Sequence, residues 1–171
     1  MSANLPPSDR LKNIRGIVLD VDGVLTDGKI IYTDDGHELK QFHVQDGASI
    51  KLLIEHGVSI AVITGRRSPM VARRTRELGI AHVTQGVSSK PEALQSLIAD
   101  GFPDDNLAAV GDDIQDLALF AEPMIRLSIT VPNGHPEVLR KADWITERSG
   151  GTGVVAEIAE HVLKAQSRWP F

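Results

Sequence analysis

The stretch Gly16-Ile17-Val18-Leu19-Asp20-Val21-Asp22-Gly23-Val24-Leu25-Thr26-Asp27 passes from an apolar run to a set of acids within a few positions. Ile14 to Asp20 reads as a strand covered on both faces, since consecutive branched apolar residues leave no face for water. Such strands belong to parallel sheets sandwiched between helices, and there ligands bind beyond the carboxyl ends of the strands. Asp20 and Asp22 stand at that end.

Working outward, three further apolar runs read as strands: Val58 to Ile63, Ala81 to Thr84 and Leu107 to Val110. Met124 to Ile129 and Asp143 to Thr146 are weaker candidates. Helical patterns separate them. Ile50, Leu53 and Ile54 recur at helical spacing between Gly47 and His56, with Gly57 as the stop. Ser68-Pro69 opens a helix that runs to Leu78 and ends at Gly79. Pro91 to Asp100, Ile114 to Ala121 and Gly153 to Gln166 complete the set. Alternating strands and helices predict a three-layer α/β/α Rossmann-like parallel sheet. One segment interrupts the alternation. Lys29 to Thr33, the turn Asp34-Asp35-Gly36, and His37 to His43 read as a β-hairpin inserted after strand 1.

The 171 residues suit one domain spanning the chain, with residues 1–12 expected to be flexible. A net charge of −5 without a Lys/Arg run argues against nucleic-acid binding, and no apolar run is long enough for a membrane span. Residues 1–10 lack the apolar centre of a signal peptide. The absence of cysteine excludes disulfides and thiolate metal sites and suits a cytoplasmic location.

Four polar groups fall at strand ends or the following loops: the pair Asp20 and Asp22, then Thr64, then Lys90, then Asp112 with Asp113 and Asp116. Together they suit phosphate-monoester chemistry. Asp20 can attack phosphorus and form an aspartyl-phosphate. Asp22 can protonate the leaving oxygen and then activate water. Asp20, Asp22 and Asp112, supported by Asp113 or Asp116, offer the hard oxygens that Mg²⁺ takes. Lys90 and Thr64 can hold the phosphoryl oxygens, as can backbone N–H groups around Gly23, Val24, Gly65 and Arg66. Each piece alone has an ordinary structural explanation, such as an exposed turn, a surface lysine or a helix cap. Their order and placement together favour the chemistry. A phospho-acceptor domain of receiver type uses similar groups, but keeps its acid on a middle strand and has no second carboxylate two residues on.

On these residues the chain resembles the haloacid dehalogenase superfamily. Asp20 to Gly28 matches its first motif, Thr64 the second, Lys90 the third and Gly111-Asp112-Asp113 the fourth. Phe42 with Asp46-Gly47, Gln85-Gly86, Asp112 to Leu117, His135-Pro136 and Gly150-Gly151 extend the resemblance to the capless family of 3-deoxy-D-manno-octulosonate 8-phosphate phosphatases, from about Ile14 to Gln166. The resemblance implies a small phosphorylated sugar acid as substrate, with Asp46 among the substrate-binding residues, in lipopolysaccharide precursor synthesis. It also implies a homotetramer joined through the 29–43 hairpin, with a neighbouring subunit helping to enclose the site. Gln45, Ala48, Thr152 and Ala156 stand where many members carry arginine or an aromatic residue, which keeps an acylneuraminate 9-phosphate open as the substrate. No cap domain fits, because the hairpin accounts for the residues between Asp22 and the helix at Gly47, and one helix and one strand fill Thr64 to Lys90.

Overall fold

Strand β1 (Gly16–Leu19) is buried along all four residues, as its unbroken apolar sequence requires. The structure is a computed structural model that describes residues 6–171. β1 lies between β4 (Ser59–Thr64) and β6 (Leu107–Val110), parallel to both. Beyond β4 lies β5 (His82–Gln85); beyond β6 lie β7 (Ile125–Thr130) and β8 (Trp144–Ile145). The six strands are all parallel, in the order β5-β4-β1-β6-β7-β8. The chain therefore leaves β1 in one direction, returns, and continues in the other. The carboxyl end of β1 is the switch point of the sheet, and Asp20 follows it directly.

Side chains alternate across the sheet as the strand period demands. Ile17 and Leu19 pack into one core with Ile50 and Leu53 of α2 (Val44–Glu55) and with Val155, Ile158 and Val162 of α7 (Val154–Ala165). Val18, Ala61 and Ala109 face the other, with Leu94 and Leu97 of α4 (Lys90–Ala99) and Leu119 of α5 (Asp116–Phe120). Each face of the sheet is thus sealed by helices, the three-layer arrangement expected.

Most expected boundaries shift by a residue or two, while α2 begins three residues before Gly47. Gly47 therefore lies within the helix rather than ahead of it, and glycine suits it there because a Cβ would strike the Arg74 guanidinium and Leu78 of α3 (Pro69–Leu78). α3 ends at Gly79 in the left-handed conformation, φ 75°, as the sequence predicts. Ser68 makes no side-chain cap, and its N–H instead donates to the Gln85 side chain at 2.8 Å. Helix α6 (Pro136–Lys141) was not anticipated; His135 caps it by accepting from Glu137 N at 3.1 Å. Of residues 1–12, expected to be flexible, residues 1–5 lie outside the described region. Ser8–Leu11 forms a short helix α1, and Leu11 is buried in the core. The Gln166 amide ties its end down by donating to Leu11 O at 3.3 Å and Ile14 O at 2.9 Å.

The hairpin forms around its Asp-Gly turn, with Gly36 at φ 85°, but is short: β2 (Ile31–Tyr32) pairs antiparallel with β3 (Glu38–Leu39) as a separate sheet. Ile30, Ile31, Tyr32 and Leu39 are exposed on it, Tyr32 at 65%. No helix among the described residues is long and apolar enough to cross a membrane.

Candidate active site

The last ladder bond of β1, from Asp20 N to Val110 O at 3.0 Å, fixes the backbone of Asp20 beside the end of β6. The chain then closes a tight turn in which Leu25 and Thr26 both donate to Val21 O. Gly23 adopts φ 96° there, and a Cβ on it would overlap the Asp112 carboxylate. That overlap explains the glycine: the motif turn and the loop after β6 meet with no room for a side chain.

Lys90 opens α4 and is almost fully buried. Its ammonium lies 2.9 Å from Asp20 Oδ1 and 2.5 Å from Asp116 Oδ1. Asp116 Oδ2 accepts from the backbone N–H groups of Asp112 at 3.0 Å and Asp113 at 3.1 Å. Asp116 thereby shapes the loop that carries Asp112. Gly111 must be glycine for the same reason, since a Cβ would strike the Asp116 side chain. Thr64 ends β4, and its hydroxyl oxygen accepts from Arg66 N at 3.4 Å, leaving the hydroxyl hydrogen for another acceptor.

These groups line one cavity of about 600 Å³, which holds Asp20, Asp22, Thr64, Gly65, Arg66, Lys90, Asp112, Asp113 and Asp116. Gly28, Val87, Ser88 and Gln115 also line it and were not picked out as site residues. Ser88 lies two residues ahead of Lys90 and Gln115 within the Asp112-to-Leu117 stretch, so their neighbourhood was the available signal.

Electrostatics divide the acids. Burial pushes Asp20 up to about 6, opposed by Lys90 and assisted by Asp116. Burial and the charges of Asp20, Asp116 and Asp113 push Asp112 up to about 7. Burial works against the Lys90 ammonium, but Asp20 and Asp116 outweigh it and hold Lys90 above the usual lysine range. Asp20, Asp112 and Asp116 offer oxygens that all lie within 4.8 Å of one another, and Asp112 Oδ1 is buried without a partner. Three hard oxygen donors, one of them orphaned and two resisting ionisation, fit a small divalent cation. Both Asp116 oxygens are already engaged, so Asp20 and Asp112 have the free lone pairs.

Three expectations require correction. The Asp22 carboxylate does not join the cation group; its Oδ1 pairs with the Lys40 ammonium and its Oδ2 lies 3.8 Å from Arg66 Nε. Asp46 is not in the cavity. Its Oδ1 accepts from Val155 N at 2.8 Å and Ala156 N at 3.2 Å, so it satisfies the first turn of α7. Gly23 and Val24 do not line the cavity either. Gly23 N is directed to the Thr26 hydroxyl, Val24 N to Val21 O, and the Val24 side chain is buried in the core.

The haloacid dehalogenase-like hydrolase family profile matches residues 75–158. The 3-deoxy-D-manno-octulosonate 8-phosphate phosphatase of Yersinia pestis is 40% identical over 160 residues, covering 93% of this chain and 84% of that protein. The chain belongs to the octulosonate 8-phosphate phosphatase family of haloacid dehalogenase-like hydrolases. Among solved members of this family, the Moraxella catarrhalis enzyme, in complex with magnesium, phosphate and KDO, superposes with a TM-score of 0.87 at 42% identity, covering 94% of this chain and 91% of that one. The cobalt-bound Haemophilus influenzae member gives a TM-score of 0.86 at 36% identity, with 92% of each chain covered.

Proposed function

We propose that the chain is a Mg²⁺-dependent phosphatase that hydrolyses 3-deoxy-D-manno-octulosonate 8-phosphate to the free sugar acid and inorganic phosphate. The observation that carries the chemistry is Asp20 at the switch point of the sheet, its carboxylate held by Lys90 and faced by Asp112. Membership of the phosphatase family supports the sugar acid. Asp20 and Asp112 would hold the cation, with Asp116 shaping the loop that carries Asp112, and the cation would supply positive charge against the phosphoryl oxygens. Lys90 keeps Asp20 oriented and adds a second positive charge on the same side. An Asp20 oxygen attacks phosphorus; the bond to the sugar oxygen breaks, and Asp22 gives that oxygen its proton. Asp22 then takes a proton from water as the water oxygen bonds to phosphorus, and the Asp20–phosphorus bond breaks. Thr64 donates its free hydroxyl hydrogen to a phosphoryl oxygen, and Gly65 and Arg66 border the same space.

Steady-state rates on the octulosonate 8-phosphate and on an acylneuraminate 9-phosphate, with and without Mg²⁺, test the assignment. The expected result is a clear preference for the former and loss of activity without cation; preference for the nine-carbon ester would move the chain to that substrate. Asp20→Asn should abolish turnover, and retained activity would refute Asp20 as nucleophile.

The same reading includes a homotetramer in the cytoplasm, packed through the 29–43 hairpin. Its support is the exposed apolar cluster of Ile30, Ile31, Tyr32 and Leu39 on a two-stranded sheet, which is marginal on its own. Replacing Ile31→Glu together with Leu39→Glu should lower the mass seen by light scattering, and an unchanged mass would exclude the hairpin as the contact.

A further inference from the structure

Lys40 is the most unusual charge on the hairpin. Its side chain is only 2% exposed, yet it belongs to a surface insertion rather than to the core. Its ammonium meets Asp22 Oδ1 and lies 3.0 Å from Glu38 Oε1. The other Glu38 oxygen meets Arg66 Nη2 at 2.8 Å, and Arg66 Nε returns toward Asp22 Oδ2 at 3.8 Å. Asp22, Lys40, Glu38 and Arg66 thus form a closed ring of alternating charge between the hairpin and the loop after Thr64.

Nothing on its own turn hydrogen-bonds the Asp22 carboxylate; among the described residues its hydrogen-bond partner is Lys40, eighteen positions further along. Oδ1 is held, while Oδ2 is buried without a hydrogen bond, 3.8 Å from Arg66 Nε. With Oδ1 on Lys40 and Oδ2 beside Arg66, the torsions of the Asp22 side chain are fixed, a condition for oriented proton transfer that a free side chain would not meet. Stability alone is a weak reason for this arrangement. Burying an ammonium beneath a short hairpin carries a desolvation cost that an apolar side chain would avoid.

We propose that Lys40 is a positioning residue for Asp22, through which the placement of the hairpin sets the direction of the acid–base carboxylate. This rests on Asp22 acting as the acid and base in the reaction given above. Glu38 and Arg66 hold Lys40 and the hairpin in register with the Thr64-Gly65-Arg66 loop. A hairpin displaced from its seat would carry Lys40 with it and release Asp22.

The test compares kcat/KM, in the full chain with Mg²⁺, for the sugar-acid phosphate and for dinitrophenyl phosphate. The first needs a proton delivered to its leaving oxygen, whereas the dinitrophenolate leaves without one. Lys40→Met should lower kcat/KM for the alkyl ester on the order of a hundredfold and leave the aryl ester within a factor of about three. Lys40→Arg should restore most of the loss. Glu38→Gln, a milder change, should move the same ratio in the same direction by less, and serves if Lys40→Met does not fold. Equal losses on both esters, or no loss on either, overturn the role of Lys40. Asp22→Asn separates the two levels. If it shows the selective loss and Lys40→Met does not, only the positioning role fails; if it shows no selective loss, the acid–base reading fails as well.

Discussion

In the metal-free protein, lowering the pH should stabilise the fold, the reverse of ordinary acid denaturation. An Asp in an unfolded chain titrates near ~3.9. In the fold, Asp112 is pushed up to about 7 and Asp20 to about 6, in both cases chiefly by burial and secondarily by neighbouring carboxylates. A carboxyl raised on folding binds more protons in the native state, so its contribution to stability is complete below pH ~4 and is lost as pH rises through the folded value. For Asp112 the rise from 3.8 to about 7 sets a ceiling of roughly 4 kcal/mol. Solvent reaches part of the group and screens it, so about 2 kcal/mol is the value to expect. In a domain of this size that corresponds to a Tm change of about 4–8 °C. Thermal unfolding in a chelator at pH 8 and at pH 5.5 should therefore give a higher Tm at the lower pH. Mg²⁺ should raise Tm more at pH 8, where the carboxylates are ionised, and flatten the dependence. In Asp112→Asn, Tm at pH 8 should rise and the pH dependence should shrink. A chelated protein whose Tm is level or falls toward pH 5.5, or an equal Mg²⁺ effect at both values, would refute the account of the acidic pole.

Gly23→Ala should weaken Mg²⁺ binding at least about tenfold by calorimetry, because the new methyl combines a strained φ of 96° with an overlap of the Asp112 carboxylate; unchanged affinity would show that the turn and Asp112 are not coupled. Asp46→Ala should lower stability by about 1–3 kcal/mol in urea unfolding, since Val155 and Ala156 lose their acceptor at the start of α7. KM for the folded enzyme should not move, and a raised KM would return Asp46 to the substrate site.

The parallel sheet was legible because runs such as Gly16 to Leu19 and Leu107 to Val110 are apolar without interruption, and only a strand covered on both faces requires that. The strand ends then located Asp20, Thr64 and Asp112, whose placement depends on topology alone. Helix α6 escaped notice because six residues hold too little periodic signal; its marks were the cap at His135 with Pro136 and the basic pair Arg140 and Lys141 in the last turn. Asp46 was misplaced because the resemblance that suggested it says nothing of its contact with α7, which closes over α2 from the far end of the chain. Lys40 was invisible for a related reason. A lysine on a surface hairpin reads as solvated, and only the seating of that hairpin over Asp22 buries it.

Five acids in this protein show that function follows the partner of each carboxylate rather than its closeness to the motif. Asp116 has both oxygens committed, to Lys90 and to the N–H groups of Asp112 and Asp113, so it organises without being free to react. Asp46 is likewise spent on a helix terminus. Asp112 keeps one buried oxygen with no partner and has the strongest claim to a cation. Asp20 is held by a single lysine at 2.9 Å and retains lone pairs toward the cavity, the condition a nucleophile needs. Asp22 stands apart from all of these because its partner comes from the hairpin. The nucleophilic and cationic pole is therefore built from the strand ends and the loops and helices that follow them, while the acid–base pole depends on an insertion whose outer face is apolar and exposed. An assembly that covers that face would steady Lys40 without altering any residue around Asp20. Dilution below the assembly threshold should then slow the ester that needs a proton more than the ester that does not.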